Sequence, residues 1–415
     1  MFPATDSGLF GVSVSVLVVL GLLFSGSPSG ADLGVLGDRF ETEGLTFCEL
    51  SDGNFAITWV DQVIDAEVWL RVYGPDGTPV TGPILVYSDQ NPASIVGPKI
   101  CCMPQGGLAV IYGVASMTFG MNSLEVRGYD NSGSPLAAAA EVTGVSPFNV
   151  PEAPACYEGG FLANWSREVD LPFEPTHYLV RRFGADGLPT GPEFRVDEGR
   201  SSFEPALRVA ARADGSFIAA WAGPVEGTIT AQEYDSSDVE VGPEMSVLDL
   251  GSSETFQDLD LAINAAGERM FVWTENTFPD TYGRGFDDSG LPLSTLFEVD
   301  GAPGLQAKAS DVVARPNGDF IVTWAALITD VISVDTITPE GLPSGSPLVI
   351  EPEGSFRYGT RLIPPRGSRF AASFLGADPM GGQKVPYIRL LSAGPPFFSD
   401  GFETGDTSAW NSTVP

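Results

Sequence analysis

Residues 166–177 hold the densest group of side chains able to do chemistry: Arg167, Glu168, Asp170, Glu174 and His177, the only histidine in 415 residues. Two carboxyl groups at a set separation can divide acid and base roles at a glycosidic bond, so Glu168 with Asp170 or Glu174 is a candidate pair. Asp61 and Asp65, Glu275 and Asp280, and Asp197 and Glu198 occupy comparable places elsewhere in the chain. A histidine general base would need a serine or cysteine nucleophile, and no such motif accompanies His177. Among 54 acidic residues, the plainer reading of all these groups is a solvated acidic loop. Glu168, Asp170, Glu174 and His177, with Asp61, Asp65, Glu275 and Asp280, are taken as binding residues, and no catalytic residue is assigned.

Acidic residues outnumber basic ones 54 to 21, a net charge of −33. Nucleic acid is excluded as a partner, because binding it takes clustered Lys and Arg to displace counterions. The surplus fits solubility outside the cell. Ca²⁺ is the alternative use for it, but the sequence holds no Asp-x-Asp-x-Asp-Gly loop, so no cofactor is expected and no metal ligands are assigned. Residues 8–24 are uncharged and are followed by small residues up to Ala31, the pattern of a secretory leader over 1–31. Its n-region carries Asp6 and no Lys or Arg, which leaves an uncleaved anchor as the alternative. Beyond it no segment reaches transmembrane length. Export permits disulfides, with Cys48, Cys101, Cys102 and Cys156 as the candidates. Cys48 to Cys101 or Cys102 to Cys156 would join neighbouring units, and four cysteines allow three pairings in all.

These residues hang on a repeat. The stretch Asp52-Gly53-Asn54-Phe55-Ala56-Ile57-Thr58-Trp59 recurs six more times, closing on Tyr112, Trp165, Trp221, Trp273, Trp324 and Phe374, at steps of 53, 53, 56, 52, 51 and 50 residues. Such a period marks a repeat architecture. Alternation in Phe55-Ile57-Trp59 and Phe217-Ala219-Trp221 means strand, and apolar residues on the other face mean a sheet covered on both sides. A second turn, Gly74-Pro75-Asp76-Gly77 or Gly184-Ala185-Asp186-Gly187, joins two further strands. Each unit is thus four short antiparallel strands, a propeller blade. The expectation is all-β: a seven-bladed β-propeller over 32–395, with residues 38–42 supplying the missing last strand of the seventh blade and closing the ring. The fixed register of the closing aromatics assigns them to the core between blades. Arg71, Arg127, Arg181, Arg284 and Arg389 recur on the third strand and are read as a repeated structural hydrogen bond or ion pair rather than an anion site.

The pattern Asp-Gly-x-Phe-x-x-x-Trp followed by Arg-x-Phe/Tyr-x-x-Asp-Gly-x-Pro-x-Gly-Pro resembles repeats of secreted bacterial β-propeller proteins. The ending from Asp400-Gly401-Phe402-Glu403 to Trp410 resembles an Asp-Gly-Phe-Glu-x-Gly-Asp-x-x-x-Trp tail of exported bacterial proteins, so 396–415 is read as a sorting tag. The resemblance implies fold and export. The tight turns lie on one face of the propeller and the long connections, where function concentrates, on the other. The expected role is an exported, monomeric, non-catalytic module, secreted or at the cell surface, that binds a glycan or protein. The alternatives are a polysaccharide hydrolase or lyase and a structural adhesin module. An Arg meeting paired carboxylates over the central funnel would favour the enzyme; a flat acidic face with aromatic patches would favour binding.

Overall fold

The computed structural model describes residues 32–34, 46–61, 66–75, 77–89, 97–115, 121–147, 149–167, 176–197, 207–223, 227–249, 256–275, 280–299, 307–326, 331–344, 348–350, 361–366, 369–377 and 384–392. The leader, residues 38–42, Asp65, Glu168, Asp170, Glu174, Glu198 and the tail lie outside them.

Regular structure here is all strand, in seven separate antiparallel sheets: six of four strands and one of five. Numbered by repeat, sheet 4 is typical, with Leu207–Ala211, Phe217–Ala222, Thr228–Tyr234 and Glu240–Asp249 paired in chain order. Sheet 3 is the five-stranded one, because its first strand is broken into Asn149–Pro151 and Ala155–Tyr157, both paired to Gly160–Arg167. Among the described residues no helix is long and apolar enough to cross a membrane.

The second strand of each unit is apolar on both faces, and Phe217–Ala222 is buried throughout. Its cover comes from the sheets on either side. Trp221 packs with Leu162, Tyr178 and Val180 of sheet 3, and Trp273 with Ile218, Ala220 and Ile229 of sheet 4. Trp165 and Trp324 fill the corresponding gaps. Tyr112, Trp165, Trp221, Trp273 and Trp324 are therefore core between sheets, as their register requires. First strands also touch in succession from sheet 1 to sheet 7, and Arg361–Arg366 of sheet 7 touches Thr46–Glu49 of sheet 1.

The tight turns owe their sequence to two needs. Gly215 and its counterparts adopt positive φ, 85° at Gly215, which only glycine reaches without strain. The carboxylates of Asp130, Asp235 and Asp287 accept the N–H groups two and four residues on, forming Asx turns. Bonds from the Ser132, Ser216 and Ser289 hydroxyls, joined by backbone N–H groups, hold the Asp130, Asp214 and Asp287 carboxyls below their usual range. Asp238 takes a glycine's place in sheet 4 at φ 64°, and its carboxylate binds Arg182 of sheet 3 at 2.6 Å.

The repeated arginines are structural. Arg71, Arg127, Arg181 and Arg284 lie over the ring two residues on, at 5.2–5.7 Å. The Nε of Arg71, Arg127 and Arg181 donates to the carbonyls of Thr81, Ala137 and Gly191. Arg181 and Arg284 also reach carbonyls of the preceding sheet, at Val142 and Val247. Sheets 4 and 6 break the rule: at the same register, opposite the residue two before the closing aromatic, stand Gln232 and Asp335, both buried. Burial pushes the Asp335 carboxyl above the ordinary range, and the Thr336 N–H offsets only part of that.

Two expectations are corrected. The strand beside Lys384–Ser392 in sheet 7 is Asp32–Gly34, with Asp32 opposite Arg389 and Gly34 opposite Tyr387, rather than residues 38–42. A ladder is made by backbone groups, and Leu33-Gly34-Val35 carries the apolar-x-Val spacing of Phe194-Arg195-Val196 better than Phe40-Glu41-Thr42 does. The disulfides are Cys48–Cys102 and Cys101–Cys156, not Cys48 to Cys101 or Cys102 to Cys156. Equivalent residues of successive units point the same way round, so Cys48 and Cys101 cannot face each other. Cys102, pointing to the opposite side of its strand from Cys101, meets Cys48.

Two measurements check this packing. Trp221→Ala should lower the unfolding free energy by about 3–5 kcal/mol in chemical denaturation. Because folding favours the neutral form of Asp335, its stability contribution is full below the ordinary Asp range and is lost as pH rises through the raised value. Asp335→Asn, which keeps the shape and cannot ionise, should melt higher than the parent at neutral pH, and the two melting curves should converge in acid.

Candidate functional site

Each first strand starts at a long connection and runs toward a tight turn, so its early residues lie at the long-connection face. Thirteen residues before each closing aromatic stand Thr46, Lys99, Glu152, Arg208, Asp260, Asp311 and Arg361. All seven are polar or charged, on strands otherwise largely apolar. They share one register, each paired with the residue preceding the aromatic: Thr58, Ile111, Ala220, Val272, Thr323 and Ser373, with the Glu152 N–H bonding the Asn164 carbonyl. They make a belt along the shared inner edge of the sheets.

The belt ties sheet 1 to sheet 2 and links sheets 3 to 7 in succession. Thr46 Oγ1 donates to the Pro98 carbonyl at 3.3 Å. Arg208 Nη1 donates to Glu152 Oε2 at 2.7 Å, and its Nε stands 3.7 Å from Asp260 Oδ1. Asp260 Oδ2 accepts the Val312 N–H at 2.7 Å, and Asp311 Oδ2 accepts the Leu362 N–H. Bulges just before Asp260 and Asp311 set these two side chains, a usual way to re-aim a residue near a site. One guanidinium thus holds two carboxylates from different sheets. Side-chain exposures of 12% for Glu152, 14% for Arg208 and 13% for Asp260 leave the trio in reach of a ligand.

The sequence candidates lie elsewhere on this face. His177 opens the third strand of sheet 3, opposite Arg167. Arg167 bonds Asn149 Oδ1 at 3.1 Å and Thr143 Oγ1 at 2.6 Å, and pairs with Glu193 at 3.3 Å. Asn149 in turn exchanges three hydrogen bonds with Asn122 of sheet 2. Arg167 is thereby committed to a joint between sheets. Glu275 and Asp280 bracket one connection of sheet 5, the Glu275 N–H bonding the Asp280 carbonyl, and Asp280 is buried. Asp197 is fully buried and paired with Arg195, a structural use. Asp61 ends the second strand of sheet 1 opposite Glu67. His177, the Glu275 and Asp280 pair, and Asp61 thus belong to three different sheets. Among the described residues no group of three His, Cys, Asp or Glu is placed to hold a metal ion. Sequence reasoning passed over the belt because the first strands read as apolar; the signal was the constant thirteen-residue spacing.

No protein-family model matches the chain, and no curated protein matches it. Solved structures do. The polysaccharide lyase Uly1 is 10% identical with a TM-score of 0.56, over 91% of this chain and 94% of that one. A protein of unknown function from Dyadobacter fermentans is 11% identical with a TM-score of 0.52, over 87% and 98%. The GH93 α-L-arabinofuranosidase of Fusarium graminearum, solved with arabinobiose, is 10% identical with a TM-score of 0.50, over 88% and 98%. At such identities the likeness shows the fold, a β-propeller.

Removing the bridging cation should be costly. Arg208→Met leaves Glu152 and Asp260 half-buried without their shared partner, and denaturant unfolding should show a loss of about 3–5 kcal/mol. Adding Glu152→Gln and Asp260→Asn to that variant should recover part of it.

Proposed function

We propose that this chain is an exported seven-bladed β-propeller that acts on a polysaccharide at the mouth of its axis, on the long-connection face. Closure is supported by first strands that touch in one unbroken cycle and by the pairing of Asp32–Gly34 with the last strand. Export is supported by the leader pattern and by two disulfides. The observation that carries the function is Arg208 set between Glu152 and Asp260, an arginine meeting paired carboxylates on the first strands of three successive sheets. The fold is shared with a polysaccharide lyase and an arabinofuranosidase, in keeping with such a use. His177, Asp61, Glu275 and Asp280 stand at or beside strand ends on the same face and, with Glu168, Asp170, Glu174 and Asp65 of the adjoining sequence, would line the path of the sugar chain.

Recognition without cleavage is the second reading. It is favoured by the hydrogen bonds that Asp260 and Asp311 already make to backbone N–H groups of the next sheet. Incubating the chain from residue 32 with plant and bacterial polysaccharides, and measuring retained protein and released sugar ends together, decides between them. Release is expected. Retention without release would establish the binding module, and neither would sink both.

A further inference from the structure

The charge around the belt goes further than the class of polymer. Glu152, Arg208, Asp260 and Asp311 stand on four successive sheets and carry three negative charges against one positive. Lys99 and Arg361, the other belt cations, belong to sheets 2 and 7, outside that sector. The guanidinium of Arg208 is already matched by two carboxylates. On the same face Arg167 is bonded to Glu193 and Arg195 to Asp197. The whole chain adds a net charge of −33, and a field of one sign governs which polymers approach, over a Debye length of about 10 Å at 0.1 M salt.

Resting on the polysaccharide reading, we infer that the polymer is uncharged and is cleaved by hydrolysis, with Glu152 and Asp260 as the two reacting carboxyl groups. A lyase removes the proton beside a uronate carboxylate and breaks the C4–O bond by elimination. That carbanion-like state needs a cation against the uronate, and the sector offers net negative charge instead. Hydrolysis asks only for what is present. Water adds across the C1–O bond, and one carboxylate takes the water proton. The other carboxyl group, carrying a proton in the reacting complex and so leaving the sector two negative charges against one positive, delivers it to the leaving oxygen, and C1 keeps the hydroxyl.

The test compares arabinan and xylan with polygalacturonate and alginate at low and high salt, reading reducing ends and the ultraviolet absorbance of unsaturated uronates separately. Saturated ends from a neutral polymer are expected, with losses of roughly 10²–10⁴-fold in Glu152→Gln and Asp260→Asn and none in Glu193→Gln. Melting curves of the same variants separate lost chemistry from lost folding: activity falling only in step with the folded fraction overturns the assignment of the two carboxyl groups. Unsaturated uronates released from either polyanion would overturn this inference and leave the polysaccharide reading standing. No cleavage and no binding of any of the four would sink both.

Discussion

A four-stranded sheet that is apolar on both faces has no stable existence alone, and everything else in this molecule answers that constraint. The two broad surfaces of Phe217–Ala222 are both buried, yet its own sheet supplies only edges. Such a sheet must therefore lie face to face with its neighbours, and the large aromatic at the end of the second strand is the group that fills the gap. The first and last described strands share one sheet, Asp32–Gly34 pairing with Lys384–Ser392.

Stacking leaves the inner edge to be secured separately, since first strands are short and converge. The chain uses two chemistries for this, in different sectors. Sheets 1, 2 and 3 are joined covalently by Cys48–Cys102 and Cys101–Cys156. From sheet 3 to sheet 7 the joints are polar: Glu152 to Arg208, Arg208 to Asp260, Asp260 to the Val312 N–H, and Asp311 to the Leu362 N–H. The charged sector also lies at the ends of the first strands nearest the long connections.

Much of the fold was legible because it is repetitive. A turn glycine, a strand of period two and a closing aromatic recur at nearly constant steps, and each occurrence corrects for noise in the others. The belt was harder to see, since its seven members differ in type and only their position is constant; reading one unit at a time, Arg208 is a lone cation in Leu207-Arg208-Val209. The disulfide pairing stayed open for a related reason. Equivalence in sequence suggested Cys48 with Cys101, but equivalent residues in a rotating repeat point in the same direction, and a bridge needs residues that point toward each other. The long connections carry no repeat, so Glu168, Asp170 and Glu174 could be placed on a face but not in a site.

Cys101 and Cys102 are neighbours on one strand whose side chains leave in opposite directions, each tied about fifty residues away. A cut anywhere between residues 49 and 155 therefore leaves the pieces attached to one another through that strand. The first three repeats thus form a section that can be nicked without coming apart, whereas a cut in the later repeats is held only by packing and charge.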